Sequence, residues 1–297
     1  MRSTLVMMLV LVAASMAMAQ ANAGKTPIPA PGAQGAAAPA VASQHQPQAK
    51  SKEEFDAYNL AASKTDPAQL EAAADEFAKK FPASELRELL YVRAMNLYQQ
   101  QNNSAKVIAL GRKAIELNPT NPVPLVAVSS AIVMDTRDTD LDRDARLAEA
   151  NKDAQAALVN VDTGLQVPPN APADRVALVK ANLRSIAYDT LGVIAMNTKD
   201  YASAEQNFQQ AADLMKDQPD SVVYLRLSVA QDNEKKYQAA LDSANKAAQY
   251  AQEGSAEKNL AKQQQDRLQK LLADKSTSSA PPATTTPTTP PPSTTPH

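Results

Sequence analysis

Residues 188–211 read Tyr188-x-x-Leu191-Gly192-x-x-Ala195, then Ala204-x-x-x-Phe208-x-x-Ala211. Thirty-six positions later comes Tyr224-x-x-Leu227-Ser228, then Ala240-x-x-x-Ala244-x-x-Ala247, and Asp200-Tyr201-x-x-Ala204 is echoed by Lys236-Tyr237-x-x-Ala240. The apolar positions recur at three and four, the period of a helix and not of a strand. A pair of helices that returns in register cannot bury its apolar face alone, so successive copies must stack. Small residues such as Ala204, Ala211, Ala240 and Ala247 let the two helices of one unit approach closely. Tyr188, Leu191, Phe208, Tyr224 and Leu227 fill the space between units.

Working outward, an earlier copy runs from Tyr91-x-x-Ala94-Met95-x-x-Tyr98 through Ala114 to Asn118-Pro119, and a weaker one ends at Phe77-Ala78-Lys79-Lys80-Phe81-Pro82. A fifth, with helices near 122–135 and 141–160, is made irregular by an acidic cluster and a Val-Pro-Pro insertion. Breaks fall at Pro67, Pro82, Asn102-Asn103, Pro119 to Pro124, residues 135–142, Gly164 to Pro172, Asn197 to Asp200, Pro219, Asn233 and Gly254. Between them the pattern predicts about eleven helices, with Ser84 and Asp200 as caps. Residues 255–273 are more polar and read as a terminal capping helix.

These residues resemble the tetratricopeptide repeat, a helix–turn–helix unit of about 34 residues marked by an aromatic, Leu-Gly, Tyr, Ala, Phe, Ala and Pro. The resemblance covers residues 51–252 and is densest over 188–247. It implies an all-α helix–turn–helix repeat solenoid of about five helix pairs plus the C-terminal capping helix. It also implies a concave groove lined by the first helix of each unit, with Val92, Asn96 and Gln99 in one unit, Asp189, Val193 and Met196 in another, and Leu225, Val229 and Asp232 in the last. Family members that grip carboxylates place a Lys four residues before an Asn. Here Val92 stands four before Asn96, so that clamp is not expected, and an extended peptide or amphipathic helix is the partner this groove suits.

The ends of the chain differ from its middle. Residues 1–50 hold three basic groups and no acid, residues 276–297 hold no charged side chain, and 12 of the 21 prolines lie in these two stretches. Met1-Arg2-Ser3-Thr4, the apolar run from Leu5 to Ala14 and Ala17-Met18-Ala19 make residues 1–19 a secretory signal peptide. The rival is an uncleaved anchor, for which the run to Ala19 falls short of the roughly 20 residues that span a bilayer. No cysteine follows to carry a lipid. Residues 20–50 read as a disordered Ala/Pro-rich linker, 51–275 as the repeat domain, and 276–297 as a disordered Ser/Thr/Pro-rich tail. The expected location is periplasmic or secreted, with no membrane span after cleavage.

Composition excludes much chemistry. There is no cysteine, and the two histidines, His45 and His297, sit in the low-complexity ends, so thiolate sites and a histidine base are not expected. The formal charge of −2 argues against nucleic acid, which is held through basic groups. Asp138, Asp140, Asp142, Asp144 and Glu149 occupy acid positions of a calcium loop, but Arg143 stands where the turn needs glycine. Ser243-Ala-Asn-Lys246 matches a Ser-x-x-Lys nucleophile motif without its companion motifs, inside a packing helix. No enzyme activity, cofactor or metal is expected. The expectation is a non-catalytic protein-interaction scaffold or adaptor of the cell envelope. A peptidoglycan- or glycan-binding module and a structural homo-oligomer remain as alternatives, the first weakened by 4% aromatics and no Trp.

Overall fold

A computed structural model describes residues 46–168 and 170–278. The signal segment, most of the linker and residues 279–297 of the tail lie outside the described residues. Among those described there are eleven helices and no strand: α1 Lys52–Ala62, α2 Pro67–Lys80, α3 Leu86–Gln100, α4 Ser104–Leu117, α5 Pro122–Asp135, α6 Arg143–Asn160, α7 Ala173–Asn197, α8 Tyr201–Leu214, α9 Ser221–Asn233, α10 Tyr237–Tyr250 and α11 Ala256–Ser278. Consecutive helices pack as pairs, and the second helix of each pair packs on the first helix of the next. First helices also touch their counterparts, as α5 does α7 and α9 does α11. Five pairs therefore stack as a tetratricopeptide-like solenoid. Helix α11 lies on α10 and α9, where the first helix of a sixth unit would stand, and it runs three residues past the border at 275.

The starts and stops follow from local chemistry. Ser51, Asp66, Asn103, Asn121, Asp200 and Asp220 each accept a hydrogen bond from a backbone N–H in the first turn, and Pro67 and Pro122 follow two of them. Ser84 Oγ accepts from Leu86 N at 3.1 Å, so the serine still serves the helix start although Glu85 is the boundary residue. Three units close their internal turn identically. Asn102, Lys199 and Lys235 take φ of 55°, 62° and 63°. The N–H of the next residue then reaches back five positions, to Tyr98 O, Ala195 O and Gln231 O at 3.0, 2.9 and 2.9 Å. Lys199 and Lys235 stand one repeat apart, so the 36-residue spacing is set by turns as well as by packing.

The core follows the small-against-large pattern of the sequence. Ala204, Ala211, Ala240 and Ala247 are at most 1% exposed, and Phe208 is fully enclosed. A Cβ added at Gly192 would lie 2.5 Å from the Phe208 ring, which explains the glycine in that unit. The tyrosines serve packing, as read from the sequence, but two also carry polar ties. Tyr91 and Tyr98 on α3 donate to Asp75 and Glu71 on α2, both at 2.8 Å. Lys113 and Lys106 on α4 pair with the same two acids at 2.7 Å and lie over the two tyrosine rings at 4.9 and 5.6 Å. Burial works against both carboxylates, and the Lys and Tyr bonds outweigh it, holding them below their usual range. Burial, then the Glu71 bond, pushes Tyr98 up to about 12.

Two predictions follow from these contacts. Replacing Lys199 and Lys235 by Gly removes a steric penalty of left-handed backbone, and each change raises unfolding free energy by about 0.5–1 kcal/mol in urea titration. Lower stability in both variants would show that the turns are not built this way. Asp153 on α6 is 8% exposed, and burial, reinforced by Glu149, pushes its carboxyl up to about 6. A raised folded value means the fold is fully favoured below about pH 4 and loses stability as the pH climbs through about 6. Asp153→Asn therefore raises the thermal midpoint at pH 8, by the equivalent of about 3 kcal/mol, and leaves it unchanged near pH 4.

Candidate partner-binding face

Among the first helices, α5 packs on α7 and α7 touches α9, α3 meets α5 and α7 around one crevice, and the groove residues read from the sequence sit on α3, α7 and α9. On α3, Val92 packs half-buried against the N-terminal core. Asn96 and Gln99 come together with Val126 and Ser130 of α5 and Ile186 of α7 around a shallow crevice of about 10 Å³. Asn96 Oδ1 is buried there without a hydrogen-bond partner among the described residues. On α7, Val193 and Met196 are half-buried against the C-terminal core, as Leu225 is on α9. Val229 is half-buried too, and its carbonyl accepts from Asn233 Nδ2 at 2.7 Å. Aliphatic side chains on this face thus divide their surface between core and outside.

The two acids of the set are not free. Asp189 on α7 pairs with Arg226 on α9, and Asp232 on α9 pairs with Arg267 on α11. Gln264 adds a donor to Asp232 at 3.4 Å. Each pair joins one first helix to the next, a single repeat apart. Arg226 and Arg267 went unnoticed in the sequence, yet the signal was present, since an acid and an arginine recur at separations of 37 and 35 residues. Asp220 lies near the first pair; burial is the main influence that pushes its carboxyl up, and Asp189 adds to it. The face is therefore tied by ion pairs toward α11 and amide-bearing at α3, with buried acceptors that lack a partner among the described residues at Asn96 Oδ1 and Asp189 Oδ1.

The other chemical motifs resolve into structure. Arg143 reaches Asp138 at 3.3 Å, Asp144 at 3.1 Å and the Asn197 carbonyl at 2.7 Å, so the residue in the glycine place neutralises its own acidic loop. Asp140 accepts from Arg137 N, and Glu149 forks with Arg112 at 2.7 Å. Ser243 Oγ is buried and donates to Gln231 Oε1 at 2.7 Å, while Lys246 lies over the Tyr224 ring at 5.4 Å. Among the described residues no cluster of three His, Cys, Asp or Glu is placed to hold a metal ion. None of the described helices is long and apolar enough to cross a membrane.

No family model matches the sequence, and no curated protein matches it. Among solved structures, the crystal structure of an APC/C hetero-tetramer, Cut9-Hcn1, is similar at 15% identity and a TM-score of 0.31, over 67% of this chain and 39% of that one. The chain thus spans well under half the length of that neighbour, and a likeness of this degree carries no argument about function.

The inter-helix pairs make a testable statement about the face itself. Removing Asp189 leaves Arg226, whose side chain is 32% exposed, without its carboxylate, so Asp189→Ala lowers unfolding free energy by about 1 kcal/mol. Arg226→Met lowers it as well, and the double variant loses less than the sum of the two. Strict additivity in urea titration would mean that the two side chains do not interact.

Proposed function

We propose that this protein is a non-catalytic interaction scaffold of the cell envelope, secreted or periplasmic after loss of residues 1–19, which holds a peptide or helix of a protein partner on the face of its first helices. One observation carries the reading. Asn96 and Gln99 on α3 lie beside Val126 and Ser130 on α5 around a crevice whose buried Asn96 Oδ1 has no partner among the described residues. A buried acceptor left unmet costs free energy that a donor recovers, and the crevice has room for about one water to bridge Asn96 to an incoming segment. Aliphatic flanks at Val92, Val193 and Leu225 supply apolar contact on either side. The N-terminal apolar run with its Ala-x-Ala end supports export.

The test is in-cell crosslinking of tagged protein, followed by purification from the envelope fraction and mass spectrometry. The variant carries Asn96→Ala and Gln99→Ala. Asp189 and Asp232 are left intact because each anchors an arginine and its loss would confound folding with binding. A partner recovered with the parent falls about tenfold with the variant, whose thermal midpoint is unchanged. Equal recovery of the same proteins with both would remove this face from the binding surface.

A further inference from the structure

The connection after α6 does not run directly to α7 but folds back over the edge of the stack. A Cβ at Gly164 would lie 1.9 Å from the Thr120 carbonyl oxygen, so the chain passes hard against the turn before α5. Gln166 Nε2 donates to Glu88 Oε2 at 3.1 Å across 78 positions, and Gln46 Nε2 donates to the Val167 carbonyl at 3.0 Å. This irregular insertion thus joins the start of α3, the α4–α5 turn and the entry of the chain. Between them it leaves a cleft of about 430 Å³, lined by Pro47, Arg87, Glu88, Thr120, Thr163 and Gln166 among others. Insertions in repeat arrays gather as loops on one face and often build a binding site.

Glu88 gives the cleft its chemistry. It is 3% exposed, and its partners are three neutral amides: Asn121 Nδ2 at 2.5 Å, Gln166 Nε2 at 3.1 Å and Asn118 Nδ2 at 3.5 Å. No ion pair to it is formed among the described residues, and burial pushes its carboxyl up against the pull of those amides. The acids Glu85 and Glu88 are matched around the cleft by Arg87 and by Lys50, whose Nζ donates to the Ala83 carbonyl at 3.0 Å, but neither base forms an ion pair with Glu88. A buried carboxylate without a cation gains strongly from one that enters. Both of its oxygens already accept amide donors, which disfavours the two-point fork of a guanidinium and leaves room for a point charge. A multidentate metal site would need ligands that are not assembled here.

We propose that this cleft binds an alkylammonium group, a lysine side chain carried on an extended peptide, with Glu88 as its buried counter-ion. The site lies on the loop edge and stands whether or not the first-helix face holds a partner. Two sources share the chemistry: a lysine of another protein, and Lys25 of this chain, which precedes Pro47 in the sequence.

The full chain, nitrogen-labelled, is titrated with Nα-acetyl-lysine N-methylamide and separately with the norleucine analogue, which has the same carbon stem and no charge. The side-chain amide signals of Asn118, Asn121 and Gln166 move with the lysine compound, and affinity for the norleucine compound is about tenfold weaker or less. Glu88→Gln, checked for its fold by thermal melting, loses the preference for lysine over norleucine. Equal response to both compounds in the parent overturns the proposal, and that comparison decides even where the variant fails to fold. So does full lysine binding by folded Glu88→Gln, or no response in both the parent and Lys25→Ala. With binding established, tighter binding by Lys25→Ala identifies Lys25 as the occupant, and unchanged binding assigns the site to a lysine from another protein.

Discussion

The structure depends on how near two helices of one unit can come. Where α7 meets α8, the Phe208 ring occupies the space a side chain at Gly192 would need. Alanines 204 and 211 hold the rest of that seam without protruding. Close seams leave the large side chains to span the gaps between units, and that is why each second helix also lies on the first helix of the next pair. A close approach also joins successive units where α4 meets α5, since a Cβ at Gly111 would fall 2.2 Å from Val128 Cγ2. A larger residue at either glycine would push a pair apart, and the error would pass along the stack.

Much of this was legible from the period of small and large residues, because helix packing depends on side-chain size, which sequence records directly. The helix borders followed the breaks for a similarly local reason, since prolines, asparagines and aspartates act within a turn of their own position. What escaped reading were features that depend on where distant segments come to rest. The pairing of Asp189 with Arg226 and Asp232 with Arg267 withdraws two groove candidates from solvent, although the repeat separation marked both. Glu88 looked like one acid among many on a helix. Its environment is made by Gln166, and no local rule predicts that contact.

Electrostatics divide the stack in two. Toward the N-terminus, each of two α2 acids collects a tyrosine from α3 and a lysine from α4, so three consecutive helices are tied through one carboxylate. Toward the C-terminus Glu205 on α8 repeats this with Gln231 of α9 and Lys236 at the start of α10, and a second set of ties runs between first helices, from α7 to α9 and from α9 to α11. The first arrangement leaves the first-helix face untouched, and the second spends that face's charges on holding it together. A partner therefore meets an unmet acceptor at Asn96 on α3, and beyond it acids already paired with arginines, of which Asp189 keeps one oxygen without a hydrogen bond.

The irregular units bear on this division as well. The acidic loop before α6 is closed by Arg143, which ties it to the end of α7, so its departure from the repeat is absorbed into the packing. The insertion after α6 is absorbed differently: it reaches across two units and encloses a carboxylate among amides, with space left beside it. Asn118 and Asn121 hold their oxygens on Thr120 and Val123, so each presents an NH2 to Glu88, and a carboxylate accepts from both and from Gln166, although burying an acid without a cation works against the fold. Glu88 thus joins α3, the α4–α5 turn and the insertion through its three amides, and what that packing leaves unanswered among the described residues is its charge.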